Sequence, residues 1–242
     1  LDVNYTMKLA INQPYFFPYL DYFGLLKHAD QFIALDVVQF TRHGWVERNR
    51  ILKQTGGWQY VKVPLIKHSH VSLINEIFIN NNINWRRIIF SQIEHYRKTA
   101  PYYNAVKELL VRIFDNHYTD IVQLNVCALK ETCAYLGIQT PIEIFSQMDI
   151  KIKGVTAPDE WALNICNALG DVDTYYNLSG GVSFFDRTKY DRSNIQIYFQ
   201  QMKGNPYNQK RSVFEPSLSI LDVMMFNSPE EIINMLDDYT YV

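Results

Sequence analysis

"MKLAINQPYFFPYLDYFGLLKHADQFIALDVV", residues 7–38, decides the fold. Met7–Asn12 carries three consecutive apolar residues and reads as a short buried strand. Pro18 suits the first turn of a following helix, where its missing N–H costs nothing, and that helix runs to about Ala29. Residues 31–38 read as a second buried strand interrupted by one acid, Asp36. Two apolar strands joined through a helix make a βαβ unit, which calls for a parallel sheet. The aromatic residues divide by spacing. Phe17, Leu20, Phe23 and Leu26 fall on one helix face and are expected in the core. Tyr15, Phe16 and Tyr19 remain for a binding rim.

The pattern continues outward from this unit. Residues 58–66 alternate in part and read as a strand, as does 74–79. Trp85, Ile88, Ile89, Ile93 and Tyr96 keep a helical period. Pro101 opens a second helix with Val106, Leu109, Leu110 and Ile113 on one face. Thr119 is placed to cap a third, which aligns Val122, Val126, Leu129, Cys133 and Leu136 before Gly137 stops it. Then come strand 141–145, a helix over about 158–169 closed by Gly170, and strands 173–178 and 194–199. Ser219 with Asp222, and Ser228 with Glu231, have capping-box spacing for two last helices. The expected fold is α/β, with a parallel or mixed sheet of Rossmann-like type and a helical insertion or subdomain near 84–136. The chain is expected to form one domain over 1–242, with Met7 as its native start.

Bulk composition narrows the function classes. Apolar residues make up 48% of the 242 and the formal charge is −2, so a core is affordable and a broad nucleic-acid footprint is not indicated. Seventeen Tyr and fourteen Phe exceed what a core of this size asks for, and tyrosine suits ring stacking. Cys127, Cys133 and Cys166 are odd in number and form no CxxC, which favours free thiols in a reducing compartment. No stretch approaches 18 apolar residues and no leader pattern opens the chain, so a soluble cytoplasmic protein without membrane insertion is expected. His68 and His70 share a face of an extended segment, but no nearby acid completes a metal site.

Ligands of parallel α/β sheets gather at the carboxyl ends of the strands. Five segments put polar residues there. Asn12-Gln13-Pro14 closes the first strand. Asp36 needs a partner if buried, and Arg42, His43, Arg48 and Arg50 follow it, so either a structural Asp–Arg pair or an anion pocket is expected. Lys67-His68-Ser69-His70 follows strand 58–66. "NLSGG" (177–181) offers a glycine turn whose N–H groups could face an anion. Tyr207, Gln209 and Arg211 precede a helix with Asp222 in its first turn. There is no GxSxG, HExxH, DxD or CxxC.

"INQPYFFPYLDYF…FIALDVVQF…ERNRI" (11–51), "YYNLSGGVSFFD" (175–186) and "PYNQ…FEPSLSILDVMMFNS" (206–228) together resemble the WbqC-like family across nearly the whole chain. The matching positions include Gln13, Pro14, Pro18, Asp36, Gln39, Arg48, Asn49 and Arg50. Asn12 and Phe185 depart from the pattern, so a proton donor at position 12 is not expected. The resemblance implies a role in bacterial surface-polysaccharide synthesis (O-antigen or capsule), with acyl or aminoacyl transfer onto a nucleotide-activated amino sugar. Taken with the chemistry of the residues themselves, Asp36 and His43 are the expected catalytic residues. Gln13, Tyr15, Tyr19, Gln39, Arg48, Asn49, Arg50, Ser179, Gly180, Gly181, Asp186, Tyr207, Gln209 and Asp222 are expected to bind substrate or anion. No metal is implied. A nucleotide sugar, and acyl-CoA, would enter as substrates rather than cofactors, and self-association is compatible with the sequence. The alternatives are a HIGH-like nucleotidyltransferase, for which the helix at Pro18–Tyr22 lacks histidines, and a non-catalytic sugar-binding or assembly protein.

Overall fold

Side chains alternate across the first strand, β1 (Met7–Asn12), so Leu9 and Ile11 enter one buried cluster and Ala10 the other. Both faces of the sheet are therefore covered, as a parallel sheet requires. The computed structural model describes residues 7–152, 154–204 and 206–242, so the segment before Met7 lies outside the described residues.

Helix α1 (Leu20–His28) leads from β1 to β2 (Gln31–Ala34), which pairs parallel with β1. Pro18 stands just before the Tyr19 cap rather than inside the helix. Between β2 and β5 (Ile142–Ile144) the chain inserts a two-stranded antiparallel sheet, β3 (Arg48–Leu52) with β4 (Trp58–Lys62). Helices α2 (Trp85–Ile93), α3 (Tyr103–Phe114) and α4 (Ile121–Leu136) follow. Helix α5 (Glu160–Leu169) then precedes β6 (Val172–Leu178), and α6 (Arg187–Asp191) precedes β7 (Gln196–Met202). The described chain closes with α7 (Ile220–Phe226), α8 (Pro229–Leu236) and β8 (Tyr239–Tyr241).

The six-stranded sheet has the order β5-β2-β1-β6-β7-β8, parallel except for β8. The chain runs from β1 to β2 on one side and from β6 to β7 on the other, so its direction of winding reverses between β1 and β6. Helices α1, α4 and α8 share a buried cluster with Phe32, Ala34 and Met202 on one face, while α5 and α6 cover Leu9, Ile33 and Phe199 on the other. Helices α2 and α3 join the first of these clusters through Trp85, Ile89, Leu109 and Ile113.

Several local readings shift. Residues 74–79 form a 3₁₀ turn (Ile74–Glu76) followed by isolated bridges, because Phe78 and Ile79 pair singly with Asp120 and Leu65. Asp120, not Thr119, caps α4, accepting from the Gln123 N–H at 2.9 Å. Ser228 and Glu231 form a reciprocal capping box, whereas Asp222 turns inward and leaves Ser219 to cap α7 alone. Ile88 is exposed. The three cysteines are free thiols, and burial pushes Cys133 and Cys166 up to about 12.

Candidate functional site

The stretch Arg48-Asn49-Arg50 is a strand, so its side chains alternate. Asn49 faces inward and is fully buried, while Arg48 and Arg50 share the opposite face with Tyr60 and Lys62 of β4. The Arg48 guanidinium lies 3.9 Å from the Tyr60 ring centroid and donates to the His43 carbonyl at 2.5 Å. Arg50 lies 5.5 Å from the Trp45 ring and 5.2 Å from the Trp58 ring, and its Nη2 donates to the Ser217 carbonyl at 2.9 Å. Such contacts hold a guanidinium in place while leaving its charge uncompensated. The Nε atoms of both arginines are buried without a hydrogen-bond partner among the described residues.

Arg50 opens into a cavity of about 340 Å³ walled by Tyr19, Asp21, Trp45, Tyr207 and Phe214. Its position follows from the topology. Tyr19 comes from the β1–α1 connection, Tyr207 from the chain beyond β7, and Trp45 with Arg50 from the insertion after β2. Asp21 is the one carboxyl among the described lining residues, and burial raises its pKa above the ordinary range for aspartate. Burial likewise raises the phenol of Tyr19, with Tyr15 and Asp21 adding to the effect. Aromatic walls, one fixed cation and one acid with raised proton affinity suit a ligand that combines a ring with an anionic group.

Below the cavity lies a sealed polar scaffold. Phe17 adopts φ 40°, a left-handed conformation that is costly for a residue with a side chain. Its carbonyl accepts from Asn49 Nδ2 at 2.9 Å and from Ser219 Oγ at 2.6 Å, and Asn49 also reaches the Phe16 carbonyl at 3.3 Å. The Ser219 N–H donates to the Arg50 carbonyl at 2.8 Å. Asp222, fully buried, accepts from the hydroxyls of Tyr96 and Tyr207 and from Gln209 Nε2. Burial raises the Asp222 pKa, and the tyrosine hydrogen bonds pull against that. Gln209 further clasps the main chain of Glu215 through both its amide atoms at 2.9 Å. Asn49, Gln209 and Asp222, expected to touch ligand, are therefore spent on holding the walls.

The other expected residues separate. Asp36 is buried beyond the end of β2, and its carboxylate accepts from the Ser146 N–H at 3.0 Å and the Ser146 hydroxyl at 2.5 Å. The anticipated arginine partner is replaced by a serine just past β5, a tie between neighbouring strand ends. His43 is largely exposed at φ 59° and lines a different hollow of about 420 Å³, together with Arg42, Glu47, Tyr60, Lys62 and His68. Its Nδ1 stands 3.9 Å from Glu47 Oε1. Asp36 and His43 thus do not meet in the aromatic cavity. Phe16 is fully buried in the core, not on the rim, because its ring packs edge-on against Phe17 at 4.8 Å. Tyr15 is half-buried against Tyr22 at 5.5 Å, and the Gln13 carbonyl accepts from the Tyr22 hydroxyl at 2.7 Å. Gln39 donates to the His70 carbonyl at 2.8 Å.

Ser179, Gly180 and Gly181 form one 3₁₀ turn after β6 and are not among the residues lining the cavity. A Cβ on Gly181 would meet Asn177 at 3.0 Å and the Phe199 ring at 3.2 Å, so close packing explains this glycine, while Gly180 has open space. Asp186, expected to bind substrate, caps α6, with its carboxylate held by the Thr188 N–H at 2.9 Å and hydroxyl at 2.6 Å. These two bonds hold its pKa below the ordinary range. Among the described residues, no group of three or more His, Cys, Asp and Glu is placed to hold a metal ion, and no helix is long and apolar enough to cross a membrane.

Sequence reasoning missed Asp21, Trp45 and Phe214 as cavity residues. A carboxyl in the first turn of a helix reads as a dipole partner facing solvent, so no local signal marked Asp21.

Comparison with known proteins matches the cavity-forming segments as a set. A 29% identical relative, the uncharacterized protein Rv1507c of Mycobacterium tuberculosis (strain ATCC 25618 / H37Rv), aligns over 223 residues, 91% of this chain and 93% of its own length. No solved structure matches. The family model described as "WbqC-like protein family" matches residues 13–234, and the chain belongs to that family.

Proposed function

We propose that the protein is a transferase acting on a nucleotide-activated amino sugar of bacterial surface-polysaccharide synthesis, with the cavity around Arg50 as its substrate site. The observation that carries this reading is the Arg50 guanidinium, fixed between Trp45 and Trp58 without a carboxylate partner and facing a cavity walled by Tyr19 and Tyr207. In this reading Arg50 grips a phosphate of the substrate and the aromatic walls stack on its ring. Asp21 takes the role first expected of Asp36 or His43. Its raised proton affinity suits it to accept a proton from the sugar amine as that nitrogen attacks the carbonyl carbon of an acyl thioester. The amide bond forms, the carbon–sulfur bond breaks, and the thiol leaves with its electron pair and takes up a proton. The whole chain, including the helical segment 84–136, is taken as one working domain.

The test is to incubate the protein with nucleotide-activated amino sugars and acyl-CoA donors and to weigh the products. A mass gain of one acyl group on the sugar, lost in Asp21→Asn, is the expected result. Sugar returned unmodified across the panel, although bound, would instead favour a non-catalytic sugar-binding role. The separation of Asp36 and His43 from the cavity is the observation on the side of that second reading.

A further inference from the structure

On the far side of the buried Tyr96–Asp222–Tyr207 chain lies a second polar surface. Three adjoining hollows of about 520, 500 and 250 Å³ share Gln54 in their walls. Lys53, His95, Lys98, Lys210 and Arg211 line them, in a chain whose formal charge is −2. No ion pair among the described residues involves Lys53, Lys98, Lys210 or Arg211. Two carboxylates reach the rim. Glu94 is engaged by Tyr103 at 2.6 Å and Arg97 at 3.2 Å, and Glu215 stands in the outermost hollow near Gly57.

Two details set this apart from a merely solvated basic surface. Arg211 is not free to swing, because its guanidinium donates to the main-chain carbonyls of Lys53 and Gly57. Those partners are neutral, so the charge is fixed in direction without being cancelled. His95 is oriented as well. Its Nδ1 contacts the Gln92 carbonyl at 2.8 Å, which places the proton on Nδ1, and its ring packs 4.2 Å from that of Tyr96. Its Nε2 is buried without a hydrogen-bond partner among the described residues. With the proton on Nδ1, Nε2 of the neutral ring is an unpaired acceptor, and it donates only once the ring is protonated. Burial and the nearby Arg211 charge both lower the His95 pKa. An anion seated between His95 and Arg211 would neutralise that charge and accept a hydrogen bond from a protonated Nε2.

We propose that this groove is a second anion site that takes the phosphate or diphosphate group of a small molecule, separate from the Arg50 cavity. Arg211 and His95 form its fixed base, and Lys53, Lys98 and Lys210 supply flexible charge around it. The proposal stands independently of the reaction assigned to the cavity. Its ligand can be a free inorganic anion or the diphosphate of a nucleotide or acyl carrier.

Calorimetric titration with inorganic pyrophosphate into the Arg50→Ala chain isolates the groove, because the cavity's own cation is then missing. Saturable binding is expected, weakened at least tenfold in Arg50→Ala/Lys98→Glu, a change confined to an exposed side chain. The His95 ring resonances in nitrogen-correlated NMR should move on addition of pyrophosphate and stay fixed on addition of sodium chloride at equal ionic strength. Tighter binding of a nucleoside diphosphate than of pyrophosphate would identify a nucleotide-bearing ligand, and equal or weaker binding a free anion, either one supporting the site. Absence of saturable pyrophosphate binding in Arg50→Ala, or binding unchanged by Lys98→Glu with a silent His95, would overturn it.

Discussion

The cavity wall and the scaffold behind it are built from neighbouring residues with opposite fates. Arg50 faces the cavity while Asn49, one position earlier, is sealed against the Phe16–Phe17 turn. Tyr207 presents its ring to the same cavity and buries its hydroxyl on Asp222. On the proposed reading, a polar residue of a shared motif either contacts ligand or supports the residue that does. Substitutions on the two sides should separate cleanly, with scaffold changes read in stability and wall changes read in binding.

The largest stability effect is expected at Asp222. Asp222→Ala leaves the hydroxyls of Tyr96 and Tyr207 and one amide hydrogen of Gln209 without their common acceptor, at a cost of about 3 kcal/mol. Urea unfolding should show a lower midpoint with an unchanged slope. A wild-type midpoint would remove Asp222 from the scaffold.

Asn49→Ala comes next. It strips both amide hydrogen bonds from the Phe16 and Phe17 carbonyls where the backbone is strained, for a loss of about 2 kcal/mol. The same unfolding series checks it, and any loss of ligand affinity should disappear at temperatures where the variant is fully folded. If affinity stayed tenfold weaker in the folded variant, Asn49 would belong to the wall after all.

Arg50→Ala should behave in reverse. Its stability should stay within about 1 kcal/mol of the parent, because its partners are ring faces and one carbonyl. A variant that unfolds like Asp222→Ala would erase the distinction between wall and scaffold.

The smallest effect is a pH dependence. Burial raises the Asp21 pKa in the folded protein. The folded state therefore holds this proton more tightly than the unfolded chain does. The stabilising contribution is full below the ordinary aspartate pKa and is lost as pH rises through the raised folded value. The difference in melting temperature between the parent and Asp21→Asn should fall over that window and flatten above it. A difference independent of pH across the window would show that Asp21 titrates as it does in water.

The sequence carried the βαβ unit at 7–38, the Gly137 and Gly170 helix stops and the Ser228 capping box, all of which are fixed by residues close together in the chain. The β3–β4 hairpin was half hidden, because Arg-Asn-Arg-Ile-Leu reads as a charged loop until its apolar Ile51 is seen packed beneath it. The cavity was legible through Tyr19, Arg50 and Tyr207, whose types suit a ring and an anion. Asp36 was misjudged for a different reason. Burial correctly demanded a partner, but Ser146 lies 110 positions away and carries no charge to advertise itself. Asp222 likewise looked like a helix cap, and only the fold brings Tyr96 to it.

The most direct test of the central claim is calorimetric titration of nucleotide-activated amino sugars into the parent protein and Arg50→Ala. The account predicts saturable one-to-one binding to the parent by at least one member of the panel, weakened tenfold or more by Arg50→Ala, corresponding to about 1.4 kcal/mol. Equal affinity in the two proteins, or no binding to the parent by any member, would contradict it.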